Sequence, residues 1–271
     1  AILAQAISAP AALAQGALQP VALIPAHAMI QHTVQYVMPE LAEDSQERRT
    51  IDSIIANMNK LPGIKVGFQR YGSRDMGKEA LLQELGKPDM STGFTHCLFL
   101  VADGVDALKG YLHSSLHKEE LMPVFAPFVK AIIVVDTPFG VELPKEGTAD
   151  PVLQTVMLRF QEHVSKGSEV EASLLEIIGE FGKCPGISAT LTPMGSADMS
   201  KEELLKAVEW PDKTSGVTHL LTIAAESPSH LKDLMAQPIY AKWLQAEMPH
   251  LVQQEGVPPA IIFFTPLTVS A

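Results

Sequence analysis

The chain has 271 residues, is 46% hydrophobic and carries a formal charge of −11 from 31 acidic and 20 basic side chains. That length exceeds one average domain and supplies ample material for a packed core, while the acidic balance argues against a nucleic-acid backbone as partner. Only two cysteines occur, Cys97 and Cys184, so no thiolate set for a structural metal is present, and both read as small buried hydrophobes rather than a disulfide.

Residues 1–29 contain no Lys, Arg, Asp or Glu and are punctuated by Pro10, Gly16, Pro20 and Pro25. Their apolar runs are too short to span a bilayer, and the prolines break a helix. They lack the Met and basic region that open a signal peptide, so the expectation is the mature end of a processed precursor or a trimmed chain. Two readings stand side by side: a disordered leftover, or an arm lying across this protein or in a partner's groove.

Residues 30–137 form the first expected unit. His32 to Met38 alternates as a strand, and Asp44 or Ser45 caps a helix whose Ile51, Ile54, Ile55 and Met58 share one face. Pro62-Gly63 turns the chain into a strand over Ile64 to Tyr71, followed by a short helical insertion from Gly77 to Leu85. A strand over Phe94 to Val101, a helical region from Asp106 to Phe128 broken near Ser114-Ser115, and a strand over Ala131 to Val135 complete it. Residues 138–150 read as a linker with no apolar period. Residues 151–271 repeat the order, ending in a strand over Ala260 to Phe264.

The second unit is a copy of the first. Leu61-Pro-Gly-Ile64 returns as Cys184-Pro-Gly-Ile187, Gly72-Ser-Arg-Asp-Met76 as Gly195-Ser-Ala-Asp-Met199, and Gly93-Phe-Thr-His96 as Gly216-Val-Thr-His219. All lie at an offset of 123, and 16 of 37 positions from Leu61 to Cys97 are identical. Chance gives roughly two or three, so this is an internal repeat. Asp75 and Asp198, following Gly-Ser in both copies, read as residues that tie down a turn.

The order strand, helix, strand, strand, helices, strand is the ferredoxin-like arrangement, whose antiparallel sheet has one face covered by helices and one face bare. Two such sheets in one chain bury their bare faces against each other, so the expected fold is α+β: two ferredoxin-like units forming an intramolecular eight-stranded barrel. With the opening His32-Thr-Val strand, the Leu61-Pro-Gly-Ile64 turn, Tyr111-Leu-His-Ser-Ser-Leu-His117 and Val134-Val135-Asp136, the chain resembles a tandem of stress-responsive dimeric α/β-barrel domains.

The resemblance implies a candidate site. In a polyketide cyclase of that family, a Tyr on the first long helix and a His of a Tyr-x-x-His-Pro-x-His motif do acid/base work. Tyr111 matches the opening Tyr and His117 the last His, but Ser114 and Ser115 replace the inner His and Pro. The slot of the catalytic Tyr holds Ile54 and, in the second copy, Ile177, while Tyr240 stands where His117 does. His117 is therefore a candidate catalytic residue, and His96, equivalent to His219 on the matching strand, is the other, read either as a packed structural ring or as a ligand contact. His32, Tyr36, Tyr71, His96, Tyr111, His219 and Tyr240 are the candidates for lining a pocket. His113 and His117 are spaced to share a helical face, but the expectation is no metal and no cofactor.

Since the second copy has lost the motif's histidines, the expectation is a non-enzymatic, stress-associated binding or structural component. It would dock to a partner protein or larger assembly through its arm and barrel surface, with no membrane-spanning segment. The alternative is a small-molecule enzyme or carrier, polyketide-cyclase-like and using His117, with a small apolar ligand. The distribution of the family implies the chloroplast, with mitochondrion or cytoplasm as alternatives.

Overall fold

A computed structural model describes residues 29–145, 147–254 and 258–267, so the expected arm lies outside the described residues except for Met29. The first copy runs β1 (Ile30–Val37), α1 (Gln46–Met58), β2 (Ile64–Arg70), α2 (Lys78–Leu85), β3 (His96–Ala102) and α3 (Val105–His113). A wide π turn (Leu116–Leu121), α4 (Met122–Phe125) and β4 (Ala131–Pro138) follow. The second runs β5 (Val152–Leu158), α5 (Glu169–Phe181), β6 (Ile187–Pro193), α6 (Lys201–Ala207), β7 (His219–Ala225), α7 (Pro228–Ala236), α8 (Pro238–Glu247) and β8 (Ala260–Pro266).

Local chemistry sets the helices. Ser45 caps α1 by accepting from the Arg48 amide, and Ile51, Ile54, Ile55 and Met58 are buried on one face. Ser168 does the same for α5, whose Leu174, Ile177, Ile178 and Phe181 fill the equivalent slots. Each such side chain contributes roughly 1.5–3 kcal/mol by leaving water. β4 runs beyond its expected end at Val135, because Asp136 and Thr137 still pair with His32 and Gln31 of β1.

The strands form two four-stranded antiparallel sheets, β2-β3-β1-β4 and β6-β7-β5-β8. Alternation sorts β1: Ile30, Val34 and Tyr36 join the core under the helices. Gln31 faces the other sheet, where it bonds Thr222 at 3.3 Å. Between the sheets, Tyr71, Cys97, Ile133 and Val135 pack with Met157, Leu220, Ile261 and Phe263 in one buried cluster. Burial on both faces explains why β5 and β7 are buried at every position. Backbone bonds join the copies at each seam, among them Gly72 to Phe264 at 3.0 Å and Gly195 to Asp136 at 2.9 Å.

Those two glycines end the repeated segment's second strand, and their backbone explains the motif. Gly72 has φ 140 and Gly195 φ 122, and a Cβ on either would stand 2.5 or 2.4 Å from the Met76 or Met199 carbonyl oxygen. Ser73 and Ser196, not the expected Asp75 and Asp198, close the turns. Each bonds through both amide and hydroxyl to the methionine three residues on, while the two aspartates are exposed.

Beyond this turn the copies exchange a helix. Leu81, Leu82 and Leu85 of α2 belong to the core that holds Leu174, Leu231 and Trp243 of the second copy. Leu204 and Val208, from α6 and its end, belong to the core of the first copy with Ile51, Leu108 and Tyr111. The expected linker is packed as well. Val141 is buried with Leu153, Ala224 and Leu267, and Asp150 accepts from the Arg74 amide at 2.7 Å.

Candidate active site

His117 is carried by the π turn that follows α3, where Ser114 takes an extended conformation and ends the helix. Such turns widen the helix and recur at functional sites. Ser114 Oγ accepts from the His117 amide at 3.2 Å, fixing the backbone. The His117 Nδ1 lies 3.0 Å from the Leu112 carbonyl oxygen. A carbonyl only accepts, so Nδ1 carries the proton and the neutral ring keeps its lone pair on Nε2. Burial lowers the His117 pKa to about 4; the Leu112 bond opposes this, and His32, Lys118 and Lys213 add to it. At neutral pH the ring is a free base.

Around it stand groups from both copies. Tyr111 lies 5.0 Å from His117, ring centre to ring centre, and 5.8 Å from His32. The His32 Nδ1 lies 2.7 Å from the Asp136 carboxylate, both side chains being buried. Tyr36 lines the same small cavity, of about 20 Å³, and so do Trp210 and Lys213 from the loop after α6. Trp210 meets the His117 ring at 5.6 Å. Burial pushes the phenols of Tyr36 and Tyr111 upward, so both remain proton donors. The first pocket is thus roofed by the second copy.

The remaining candidates fall elsewhere. His96 is fully buried and stacked on Phe68 at 5.2 Å, with Nδ1 against Thr95 Oγ1 at 2.8 Å and Nε2 unpartnered. Burial, with Arg70 and Arg48 adding to it, lowers its pKa to about 3. It is sealed away from His117's pocket. Tyr71 faces the other sheet, donating to Gln35 Oε1 at 2.5 Å and stacking on Phe263. His113 turns toward the end of α6: Nε2 donates to the Val208 carbonyl at 2.9 Å and Nδ1 accepts from Lys118. It therefore shares no ligand position with His117. Both cysteines are free thiols; Cys97 is buried and Cys184 half-buried.

In the second copy, His219 Nε2 stands 3.4 Å from Glu171, while Arg48 occupies the equivalent place in the first. Tyr240 stacks on Phe181 at 5.8 Å beneath Lys87 of the first copy. Its small cavity holds Gln154 and Phe264 where the first has His32 and Asp136. Among the described residues no histidine lines that cavity. Two larger spaces exist: an apolar cavity of about 310 Å³ where β2 approaches β8, lined by Phe99, Phe139, Leu153 and Leu267, and a polar cleft of about 590 Å³ near Arg70, Arg74 and Lys78.

Sequence reasoning named His32, Tyr36, Tyr111 and His117 but missed Asp136, Trp210 and Lys213. Asp136 had a signal, as a carboxylate continuing an apolar strand. Trp210 had only its place in the inserted segment.

No family model matches the chain, and no curated protein matches it in sequence. Solved structures share its fold over nearly its whole length. A candidate monooxygenase from Fusobacterium nucleatum superposes with TM-score 0.56 at 6% identity, covering 89% of this chain and 93% of that one. An anthrone oxidase-like protein gives 0.54 at 9% identity, covering 89% and 92%. A Dabb family protein of ferredoxin-like fold from Mesorhizobium loti aligns with 42% of this chain and 99% of its own, at 17% identity and TM-score 0.30. The expectation of a non-enzymatic docking component is corrected by these findings. Two chains that share the fold over 89% of this one are named as a candidate monooxygenase and an anthrone oxidase-like protein, and the first pocket gathers a free histidine base and two phenol donors. Among the described residues no helix is long and apolar enough to cross a membrane.

Proposed function

We propose that this protein is a small-molecule enzyme that removes an acidic C–H proton in the first copy's pocket, with His117 as base and Tyr111 or Tyr36 as donor. Cyclisation of a poly-ketone and oxidation of a carbon acid such as an anthrone share that opening step. The observation that carries the reading is the Tyr111–His117 pair, 5.0 Å apart, with the imidazole held as a neutral base by Leu112. A base takes the proton while a protonated phenol steadies the developing enolate oxygen. The apolar Ile54 deprives the site of one donor, and Tyr36 and Tyr111 supply others from β1 and α3.

The space beside His117 holds about one water. A substrate therefore enters by displacing the side chains of Trp210 and Lys213, which line the cavity from the loop after α6. In this reading the two sheets work as one eight-stranded barrel, which keeps each roof registered over the other copy's pocket.

The test is solvent deuterium incorporation into an enolisable aryl 1,3-diketone, benzoylacetone. The intact chain is expected to accelerate exchange, and His117→Asn to lose about 10²-fold. Equal rates for the two proteins would sink the reading. A carrier role is the second reading, supported by the 310 Å³ apolar cavity, whose size suits a small apolar ligand.

A further inference from the structure

The wall of the His117 pocket contains one charged side chain besides its histidines, Lys213. Its Nζ lies over the Trp210 ring, 5.7 Å from the centroid. Among the described residues no carboxylate pairs with this ammonium; the adjacent Asp212 is taken by Lys201 at 2.6 Å. The backbone around Lys213 is fixed. Its carbonyl accepts from the Val134 amide at 3.1 Å, extending the edge of β4, and Thr214 is tied to Asp212 through amide and hydroxyl. A half-buried cation held beside an aromatic wall, without a partner, is an electrostatic opening for an anion.

The second copy supplies the comparison. At the repeat offset of 123, Lys213 corresponds to Met90, Trp210 to Lys87 and His117 to Tyr240. Met90 bonds Ile262 through its carbonyl at 3.1 Å, as Lys213 bonds Val134, so the two loops sit alike while their side chains differ. The cation at this position is replaced by an apolar side chain where the base is gone, and the lysine of that cavity, Lys87, stands in the Trp210 slot with its ammonium 5.2 Å from the Tyr240 ring centre. In a chain of net charge −11, a carboxylate is repelled by the general field, and only a local cation reverses that.

We propose that Lys213 makes the first pocket selective for a small planar carboxylate, its ammonium pairing the carboxylate while Trp210 covers the ring; this rests on the reading of the His117 pocket as the reacting site. The second copy thereby determines which substrate the first accepts.

The experiment is an NMR titration of the full chain with benzoate and with benzamide, its neutral isostere, following the His117 ring C–H and the Trp210 indole N–H. Benzoate is expected to bind about tenfold or more tighter than benzamide. Lys213→Met, which installs the residue of the other copy, should abolish that preference, so that benzoate and benzamide bind equally. Lys213→Arg should keep it. Equal affinities in the native protein, a preference that survives Lys213→Met, or no benzoate binding at all would each overturn the proposal. Benzoate binding that leaves the His117 and Trp210 signals unmoved would overturn the reading of the pocket itself. A shift at His117 without a Lys213 effect would overturn only the selectivity.

Discussion

Glu247 ends α8 with its carboxyl buried, and its Oε2 has no hydrogen-bond partner. Burial raises its pKa from 4.5 to about 8. In the unfolded chain the group ionises near its ordinary value, so between pH 4.5 and 8 the native state binds the extra proton and stability falls as pH rises. At pH 7 the gap between 7 and 4.5 is 2.5 units, which at ~1.4 kcal/mol per unit is a cost of about 3 kcal/mol. Glu247→Gln keeps the shape and removes the ionisation. It should stabilise the fold by about 3 kcal/mol at pH 7 and by almost nothing at pH 4. Urea unfolding followed by Trp fluorescence at the two pH values measures both. A Gln variant no more stable than the native protein at pH 7, or a gain of the same size at pH 4, would refute the reasoning.

Gly195→Ala places a Cβ 2.4 Å from the Met199 oxygen at a φ of 122. It should destabilise by about 2 kcal/mol or more in denaturant unfolding, with the other copy's β4 losing its seam bond. Leu204→Ala should cost about 2–5 kcal/mol although the residue belongs to the second repeat, because it opens a cavity in the first repeat's core. Hydrogen exchange should show the lost protection in α1 and α3 rather than in α5. His96 and His117, with native pKa values of about 3 and about 4, stay neutral where the unfolded chain takes up protons below pH 6.5. Their contribution is present above pH 6.5 and is lost as pH falls toward 4 and then 3. Their ring signals should therefore not titrate between pH 8 and 5.

The helices, strands and core stripes were legible in the sequence because they rest on local rules. Ser45 and Ser168 cap, the Ile51 and Leu174 faces recur at helical spacing, and α5 begins and ends where its periodicity does. The duplication was legible too, since it needs only self-comparison. The insertion helix was visible as a helix, but not its destination. Leu81 and Leu85 ask for an apolar surface without specifying which copy provides it, because hydrophobic attraction has no direction. Glycine in the repeated Gly-Ser turn carried that decision, and its meaning appears only when the seam bond to the other sheet is seen.

The site divides in the same way. Tyr111 and His117 lie six positions apart, close enough for a motif to suggest both. His32 and Asp136 are 104 residues apart and meet only because β1 and β4 are neighbours in register. The sequence by itself determined two related sheets with covering helices and a histidine near a tyrosine. The tertiary structure alone decided that each copy roofs the other, that His96 is sealed off from the pocket, and that Trp210 and Lys213 complete the pocket of His117. The reason is physical: secondary structure follows from neighbours along the chain, whereas burial, and the proton affinity it sets, follows from neighbours in space.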